Sequence, residues 1–337
     1  MTPKTWIIAA AASAAAAITA PAAMADPLNV RIGWSTMPAH MVPAYFALPE
    51  ILEHHGDSYT VNLVSFAGST PQITAMAARE IDIAVFSGTA LAFAVLNAGI
   101  DVMVVADNLQ DGIEGSYSQS FFVKTDSGID SIEDLAGRTI ATNAVGSAND
   151  TMLRATLRAH DMDPTTDVNI IEVSFGNMRA MIEDDRVDAA PIPQPTAAAM
   201  VDSGAYKRLF SSVDTLGPTQ FTFLAARADF LEENREALYD FFEDLVRAHQ
   251  WYADPANAET AQPILAQLSQ RPIEGVQHLF TEIDYYRDPF LIPNPAGIQT
   301  TIDISYELGI LPATIQVEPD MVDLSFVEEA KRRIEGN

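Results

Sequence analysis

Four segments rich in small and hydroxyl-bearing residues follow predicted β-strands of this chain, and such loops can bind a small polar molecule. They span residues 34–43, 67–70, 87–89 and 143–150. Small residues let backbone N–H groups approach a ligand closely. Serine and threonine also cap helices, so each residue alone has two interpretations. Because four such loops occur at strand ends, we favour binding, with candidate contacts at Gly68, Ser69, Ser87, Gly88, Thr89, Gly146, Ser147 and Asn149.

The segment 146–150 begins a predicted helix with the sequence Gly-Ser-Ala-Asn-Asp. Ser147 and Asp150 have the spacing of a capping box, in which each side chain bonds a backbone N–H group of the first turn. The start of a helix attracts anions, but an acidic residue already in the first turn weakens that attraction. Zwitterionic and neutral heteroaromatic ligands therefore stay open beside anionic ones.

Three further side chains could recognise a ring or a polar group. Trp34 could stack on an aromatic ligand, and His40, six residues later, could bond a ring nitrogen. The alternative is a core tryptophan and a surface histidine. Gln194 could bond the ligand or cap a loop.

Catalytic and metal-binding motifs are not found. The sequence Glu53-His54-His55 contains potential ligands, but adjacent histidines on a helix point to different faces and no third ligand is suitably spaced. The chain has no G-x-S-x-G, P-loop or G-x-G-x-x-G motif. We therefore predict no catalytic residue, no metal and no cofactor.

The composition is strongly acidic, with 46 acidic and 19 basic side chains among 337 residues. Such a surface repels nucleic acid and anionic lipid, so neither is expected as a partner. The chain has no cysteine, which leaves it without disulfides and without a thiol for a lipid anchor. Its length is long for one core and suits two lobes.

The first 25 residues are typical of a cleavable signal peptide. Lys4 precedes an apolar run over residues 7–20, and Ala23-Met24-Ala25 offers small residues where a signal peptidase reads. The alternative is a membrane anchor, but the run is mostly alanine and no basic cluster follows it. We expect cleavage after Ala25 and a periplasmic protein.

Predicted strands and helices alternate along the rest of the chain, which indicates an α/β protein with a mostly parallel sheet. Strands are predicted at 28–34, 61–66, 81–86, 102–106, 119–125, 138–142, 168–173, 187–192 and 220–225. Helices are predicted at 71–79, 90–97, 149–160 and 178–182, and mainly helical structure from Asp229 on. A weak internal repeat links Ala75-Met76 and Ile81-Asp82 to Ala180-Met181 and Val187-Asp188, which favours two similar lobes.

Several motifs, in this order, resemble a known family. They are Ile32-Gly33-Trp34, residues 64–69 (VSFAGS), residues 81–105 (IDIAVFSGTALAFAVLNAGIDVMVV), Asp126-Ser127-Gly128-Ile129, residues 134–138 (DLAGR), Val145-Gly146-Ser147 and residues 187–190 (VDAA). The resemblance is to the periplasmic binding components of ABC importers for taurine, alkanesulfonates, nitrate and thiamine-precursor pyrimidines, the NMT1/THI5-like family. It covers roughly residues 28–255.

The resemblance implies a type II periplasmic binding protein: two Rossmann-like lobes joined by two crossing strands, with a helical C-terminal tail. Lobe one would hold residues 28–118 and 222–337, and lobe two residues 119–221. The protein would capture a small polar solute, a taurine-like sulfonate first and a pyrimidine or related heterocycle next. It would then deliver the solute, as a monomer, to an ABC permease and its ATPase. A ligand sensor docking on a receptor is the alternative. A cysteine-dependent pyrimidine synthase, also similar to this family, is disfavoured by the absence of cysteine.

The chain departs from the family pattern at three places. Relatives usually carry glycine before each I/V-D motif, where this chain has Arg79-Glu80 and Asp185-Arg186. Where many relatives have Trp-x-Pro in lobe two, this chain has Pro193-Gln194-Pro195. Trp34 and His40 resemble the Trp-x-Pro-x-x-x-His region of the pyrimidine-binding branch, but Pro38 lies four residues after Trp34 rather than two. These changes could alter the ligand.

Overall fold

The computed structural model describes Met1 and residues 26–336. Its strands are β1 Leu28–Trp34, β2 Tyr59–Ser65, β3 Ile83–Phe86, β4 Val102–Asp111, β5 Ser120–Lys124, β6 Thr139–Thr142, β7 Asn169–Glu172, β8 Ala190–Ile192, β9 Tyr206–Ser211 and β10 Thr219–Arg227. Its α-helices are α1 Val42–Tyr45, α2 Ser69–Ala77, α3 Gly88–Leu96, α4 Ala148–Ala159, α5 Phe175–Glu183, α6 Thr196–Asp202, α7 Ser212–Thr215, α8 Ala228–Glu233, α9 Arg235–Ala253, α10 Ala258–Ser269, α11 Pro295–Glu307 and α12 Ser325–Glu335. The predicted signal peptide lies outside the described residues.

The first sheet has the strand order β2-β1-β3-β10-β4. Strand β1 pairs in parallel with β2 and β3, while β10 runs antiparallel between β3 and β4. Side chains alternate between the two faces of a strand, so Ile83 and Val85 pack under α9 and α12, while Ala84 and Phe86 pack under α3 and α11. We call this sheet with its helices lobe one.

Lobe two repeats the same plan. Strand β5 pairs antiparallel with β8 and β9, β6 pairs in parallel with β7, and a single bridge between Ile140 and Ala189 joins the two groups. The resulting order, β7-β6-β8-β5-β9, matches that of lobe one, with an antiparallel strand again in fourth place. The predicted α/β class with two similar lobes is confirmed.

Two segments, residues 112–119 and 212–218, connect the lobes, and we call them the crossing segments. They touch at Gly112 and Gly217, both at positive φ (74° and 67°). A Cβ on Gly112 would lie 2.6 Å from the carbonyl oxygen of Gly217. The buried carboxylate of Asp111 accepts hydrogen bonds from the backbone N–H groups of Gly112 (2.6 Å) and Gln119 (3.1 Å), which fixes the first segment at both ends. The lobe boundaries at 118/119 and 221/222 stay a prediction.

The internal repeat corresponds to equivalent hydrogen bonds in the two lobes. In lobe one, Asp82 accepts from the backbone N–H of Arg31 (3.1 Å) and donates its own to Arg31 (2.8 Å). In lobe two, Asp188 does the same with Thr139 (2.9 and 2.7 Å). Asp82 thus ties β3 to β1 and Asp188 ties β8 to β6, which are the third and second strands in the order of each sheet.

The two turns where relatives have glycine do require a left-handed backbone. Arg79 has φ 57° and Asp185 has φ 55°, a region that costs a residue with a Cβ about 1–2 kcal/mol. Each residue forms an ion pair with a neighbouring element, Arg79 with Asp229 of α8 and Asp185 with Lys124 of β5, both at 2.6 Å. The departure from the family pattern therefore changes side chains but leaves the turn conformation in place.

Candidate functional site

A cavity of about 50 Å³ lies between the two lobes, and we call it the cleft cavity. Most of its wall comes from loops that follow β1, β2, β6, β7 and β8, at the carboxyl ends of these strands, where open α/β sheets bind ligands. The rest comes from strands β4 and β10, from Gln119 of the first crossing segment, and from an irregular segment, residues 270–294, that we call the return segment. The lining residues are Ser35, Thr36, Ala39, His40, Gly68, Ser69, Leu109, Gln119, Asn143, Ser147, Ala148, Asn149, Phe175, Pro193, Phe221, Thr222 and Tyr285.

The start of α4 contributes a cluster of polar groups. The hydroxyl of Ser147 accepts from the backbone N–H of Asp150 (3.3 Å) and donates to Oδ1 of Asn143 (2.9 Å). Asn149 donates from Nδ2 to the same oxygen (3.0 Å), while its own buried Oδ1 has no partner among the described residues. The first N–H groups of a helix have no acceptor within it, so those of Ala148 and Asn149 add donors here.

Gln119 and Tyr285 form the opposite wall. The Tyr285 hydroxyl donates to Oε1 of Gln119, and the buried Nε2 of Gln119 has no acceptor in the described part of the chain. The Tyr285 ring stacks on Phe221 with ring centroids 6.5 Å apart, and Phe175 adds a third aromatic ring to the cavity wall. The cavity thus combines aromatic surface with an unpartnered donor, Gln119, and an unpartnered acceptor, Asn149.

His40 lies in the cavity wall as a neutral side chain. Burial, with a smaller effect of nearby Arg287, lowers the pKa of His40 to about 3. Its Nδ1 accepts from the backbone N–H of Ser35 (3.0 Å), so the proton of the neutral ring resides on Nε2. His40 can therefore donate one hydrogen bond to a ligand, the role predicted from the sequence.

The capping box at α4 differs from the prediction in one half. Ser147 caps the helix, but the Asp150 carboxylate accepts from the N–H of Gly146 (2.9 Å) rather than from that of Ser147. Asp150 is buried outside the cavity wall, and burial raises the pKa of its carboxyl. Arg154 pairs with it at 2.9 Å. Its charge is largely offset, so it opposes an anion at the helix start less than the sequence suggested.

Four predicted site residues lie outside the cavity wall, and three of them, Ser87, Thr89 and Gly146, form contacts between the lobes. The Ser87 hydroxyl donates to the carbonyl of Gly146 (3.3 Å) and caps α3 through the N–H of Ala90 (3.2 Å). Gly88 packs closely on α11, where an added Cβ would lie 3.0 Å from the backbone oxygen of Ile298. Gly146 has φ 73°, and a Cβ there would lie 2.7 Å from the Phe93 ring.

The fourth, Thr89, belongs to a buried cluster of hydroxyl groups that joins α3, α4 and α11. Its Oγ1 lies 2.9 Å from Oγ1 of Thr151 and 2.7 Å from Oγ of Ser305. Thr151 belongs to lobe two, whereas Thr89 and Ser305 belong to lobe one. These contacts hold the lobes together in the arrangement that the structure shows.

The remaining predicted residues have mixed placements. Trp34 packs against the core of lobe one and does not line the cleft cavity. Gly68 and Ser69 line it. Gln194 accepts from the backbone N–H of Ala198 (3.2 Å) at the start of α6, and it also lines a second cavity of about 90 Å³. The sequence analysis missed Gln119, Phe175, Phe221 and Tyr285. Residues 284–288 (Asp-Tyr-Tyr-Arg-Asp) combine aromatic and charged side chains without helical or strand periodicity, and this was the one signal that could have identified Tyr285.

A possible metal-ligand cluster lies apart from the cavity. Glu53 and His54 are joined by Glu243 of α9, which contradicts the expectation that no third ligand reaches them. Glu243 also accepts from Arg247 (2.7 Å) and Arg333 (3.0 Å). Because two guanidinium groups already neutralise its carboxylate, we assign the cluster to helix packing.

The sequence matches the profile of a known protein family. The family profile described as the NMT1-like family matches residues 23–266, which confirms the resemblance predicted from the motifs. No curated protein sequence matches the chain significantly. Within the described residues, no helix is long and apolar enough to cross a membrane.

Three solved structures show the fold of this chain in other proteins. The alkanesulfonate-binding protein SsuA from Xanthomonas axonopodis pv. citri, bound to MOPS, is 20% identical over 89% of this chain and 99% of its own, with a TM-score of 0.69. The periplasmic nitrate-binding protein NrtA from Synechocystis PCC 6803 is 14% identical over 92% and 90%, with a TM-score of 0.72. The desulfurization enzyme DSZB is 13% identical over 91% and 99%, with a TM-score of 0.64. The predicted two-lobed binding-protein fold is confirmed.

Proposed function

The chain belongs to the NMT1-like family, and from that premise we propose that it is the substrate-binding component of an ABC importer. It would capture a small polar solute between its lobes and perform no chemistry. Affinity would come from enclosure of the solute, and specificity from polar groups that stay unpaired when the wrong solute binds.

The observation that carries this proposal is the pair of unpartnered polar atoms in the closed cleft cavity. Nε2 of Gln119 and Oδ1 of Asn149 are both buried without partners in the described chain. Leaving one buried polar atom unpaired costs about 1–3 kcal/mol. A solute that accepts from Gln119 and donates to Asn149 would recover that free energy, and it would then be held between the crossing segment 112–119 and the start of α4 in lobe two.

For the solute, we propose a sulfonate first and a pyrimidine or related heterocycle next. The sulfonate is supported by the N–H groups at the start of α4 and by the pairing of Asp150 with Arg154. The alkanesulfonate-binding protein SsuA has the same fold. The heterocycle is supported by the rings of Phe175, Phe221 and Tyr285 in the wall.

The importer role implies further proposals. Residues 1–25 would direct export to the periplasm and be cleaved, and the protein would act as a monomer that delivers solute to an inner-membrane permease and its ATPase. A ligand sensor that docks on a receptor would use the same cleft. An enzyme is the third candidate because DSZB shares the fold, and a cysteine-to-serine variant of DSZB was crystallised with biphenyl-2-sulfinic acid. This chain has no cysteine.

A thermal-shift screen tests the proposed function. The protein is unfolded in urea, dialysed to remove co-purified solute, refolded, and heated with sulfonates, nitrate, pyrimidines or aromatic carboxylates. A true solute at a hundred times its Kd should add about 2.7 kcal/mol of stability. Asn149→Ala should reduce that shift, whereas Asn177→Ala, at an exposed asparagine of lobe two, should not. Turnover of any solute would contradict the binding role, as would a folded protein that no solute stabilises.

A further inference from the structure

The second cavity, which we call the Arg271 cavity, adjoins the cleft cavity. Its volume is about 90 Å³. The two cavities share wall residues from both lobes and from the return segment, namely Thr36, Ala39, Phe175, Pro193 and Tyr285. A solute in the cleft cavity could therefore extend into the Arg271 cavity. Only the Arg271 cavity is lined by Arg271 and His278, both from the return segment.

Arg271 has no carboxylate partner among the described residues. Its one polar contact within the described residues runs from Nη1 to Oγ1 of Thr196 of lobe two, at 3.4 Å. The other arginines of the described chain pair with Asp or Glu, except Arg186 and Arg208, which are exposed. Arg271 is instead half-buried. The chain has 46 acidic and 19 basic residues, so an arginine without a carboxylate partner is unusual. Because Arg271 lies in a cavity wall, its guanidinium group is available to an anion from outside the protein.

His278 supplies an independent observation in the same wall. The side chain is 6% exposed, and both ring nitrogens are buried without a partner in the part of the chain that the structure describes. An imidazole always carries at least one N–H donor, so a ligand oxygen would satisfy a group that is otherwise unpaired.

The other charged groups of this cavity are already paired. Asp284 accepts from Nη1 of Arg287 at 2.8 Å and from the backbone N–H of Tyr285 at 2.8 Å. Arg179 pairs with Glu183 at 2.8 Å. The net charge that the wall presents is therefore the single positive charge of Arg271.

We propose that the Arg271 cavity holds the anionic group of the solute, a sulfonate or a carboxylate, against Arg271 and His278. The body of the solute then lies in the cleft cavity, between Gln119 and Asn149. One unpaired guanidinium balances one negative charge, and the acidic surface disfavours a second, so the solute is an organic monoanion. This proposal rests on the proposed function and assigns the anion to the return segment instead of to the start of α4.

Calorimetry on matched pairs of probes tests it: pentanesulfonate against pentanesulfonamide, and benzoate against benzamide. The wild type should prefer the anion of each pair. Arg271→Gln should lose about ten- to a hundredfold in affinity for the anions, as expected for a charge-assisted hydrogen bond, and little for the amides. Arg271→Lys, which keeps the charge, should retain the preference. Arg186→Gln is the control, because it removes an exposed unpaired arginine and changes the net charge equally.

Four outcomes would overturn the proposal. Unchanged anion affinity in Arg271→Gln would remove the guanidinium from the site. An equal loss for anions and amides would show that Arg271 only maintains the fold of the return segment. A wild type that binds the amides alone would refute the anion while leaving the solute-binding function intact, whereas a wild type that binds no probe and no member of the thermal-shift screen would refute both.

Discussion

At the scale of single residues, some polar side chains near the cleft have all their hydrogen bonds within the protein, whereas others have buried polar atoms without a partner. Ser87 and Thr89 have complete bonds within the protein. Gln119, Asn149 and His278 do not, within the described chain. Hydroxyl-bearing residues at strand ends therefore pointed to the region of the cleft cavity, but the sequence could not show which hydroxyl groups would be satisfied by bonds within the fold. Unpartnered atoms, visible only in the structure, distinguish binding from capping.

Ser147 is the residue for which capping and binding are hardest to separate, because it does the first and borders the cavity. Ser147→Ala should lower the free energy of unfolding by about 1 kcal/mol through loss of the cap. It also deprives Asn143 of a donor in the cavity wall, so affinity for the solute should fall by about three- to tenfold, the effect of one lost hydrogen bond. Urea unfolding and calorimetry give the two values.

Ser131→Ala provides the control, because that hydroxyl bonds Asp134 (3.1 Å) at a helical turn outside the cavity. It should change stability without changing affinity. If Ser147→Ala also leaves affinity unchanged, Ser147 caps α4 and does not contribute to solute binding.

At the scale of elements, the sequence predicted the strands that have a clear apolar pattern but missed β9 and the polar end of β4. Strand β9 was not predicted, because it is an edge strand that pairs only with β5 and carries Lys207 and Arg208. Strand β4 runs five residues past the predicted end at Ala106. Its later residues are polar yet buried, and partners on other elements stabilise them, as when Gln220 of β10 bonds Asp107 at 2.6 Å.

The buried hydroxyl cluster of α3, α4 and α11 joins the two lobes through Thr151. We therefore expect it to stabilise the closed arrangement of the lobes. Thr151→Val removes the interlobe bond, while Thr89 and Ser305 still bond each other at 2.7 Å. The closed form should lose about 0.5–1.5 kcal/mol relative to an open form. If the solute binds between the closed lobes, as proposed, calorimetry should show its affinity falling about two- to tenfold.

Thr125→Val is a matched control within lobe two, since the Thr125 hydroxyl donates to the carbonyl of Gly204 (3.0 Å), away from the crossing segments. It should reduce stability without altering affinity. Equal affinities for the two variants would show that this cluster does not bias closure.

At the scale of the whole molecule, the residues that line the cleft cavity are spread along the chain from Ser35 to Tyr285. Sequence patterns are local, so they could indicate only part of this lining. Loops that follow strands are a local signal. The return segment has no periodic pattern between Pro272 and Pro289, and its place in the cleft depends on tertiary contacts such as Arg287 Nη2 to the carbonyl oxygen of Ala39 (3.4 Å). The family resemblance supplied the two lobes, but its motifs ended before this segment began.

Closure of the two lobes is the prediction at this scale. The cleft cavity of about 50 Å³ lies between the two lobes, so we expect the solute-free protein to open about the crossing segments and admit the solute. Small-angle X-ray scattering should show a larger radius of gyration without solute, contracting at saturation toward the compact value of about 20 Å expected for this length.

Gly112→Ala tests whether the crossing segments act as the hinge. Its Cβ would lie 2.6 Å from the Gly217 carbonyl oxygen in the closed arrangement, so the contraction should require a higher solute concentration. Gly128→Ala incurs the same left-handed backbone cost, at φ 72°, with nothing within 4 Å of the new Cβ, and should contract like the wild type. A radius of gyration that stays constant while calorimetry shows bound solute would mean that the cleft is rigid, and the two glycines would then only shape a fixed connection. A contraction that Gly112→Ala leaves unaffected would instead place the bending elsewhere, in the strands that leave the crossing segments.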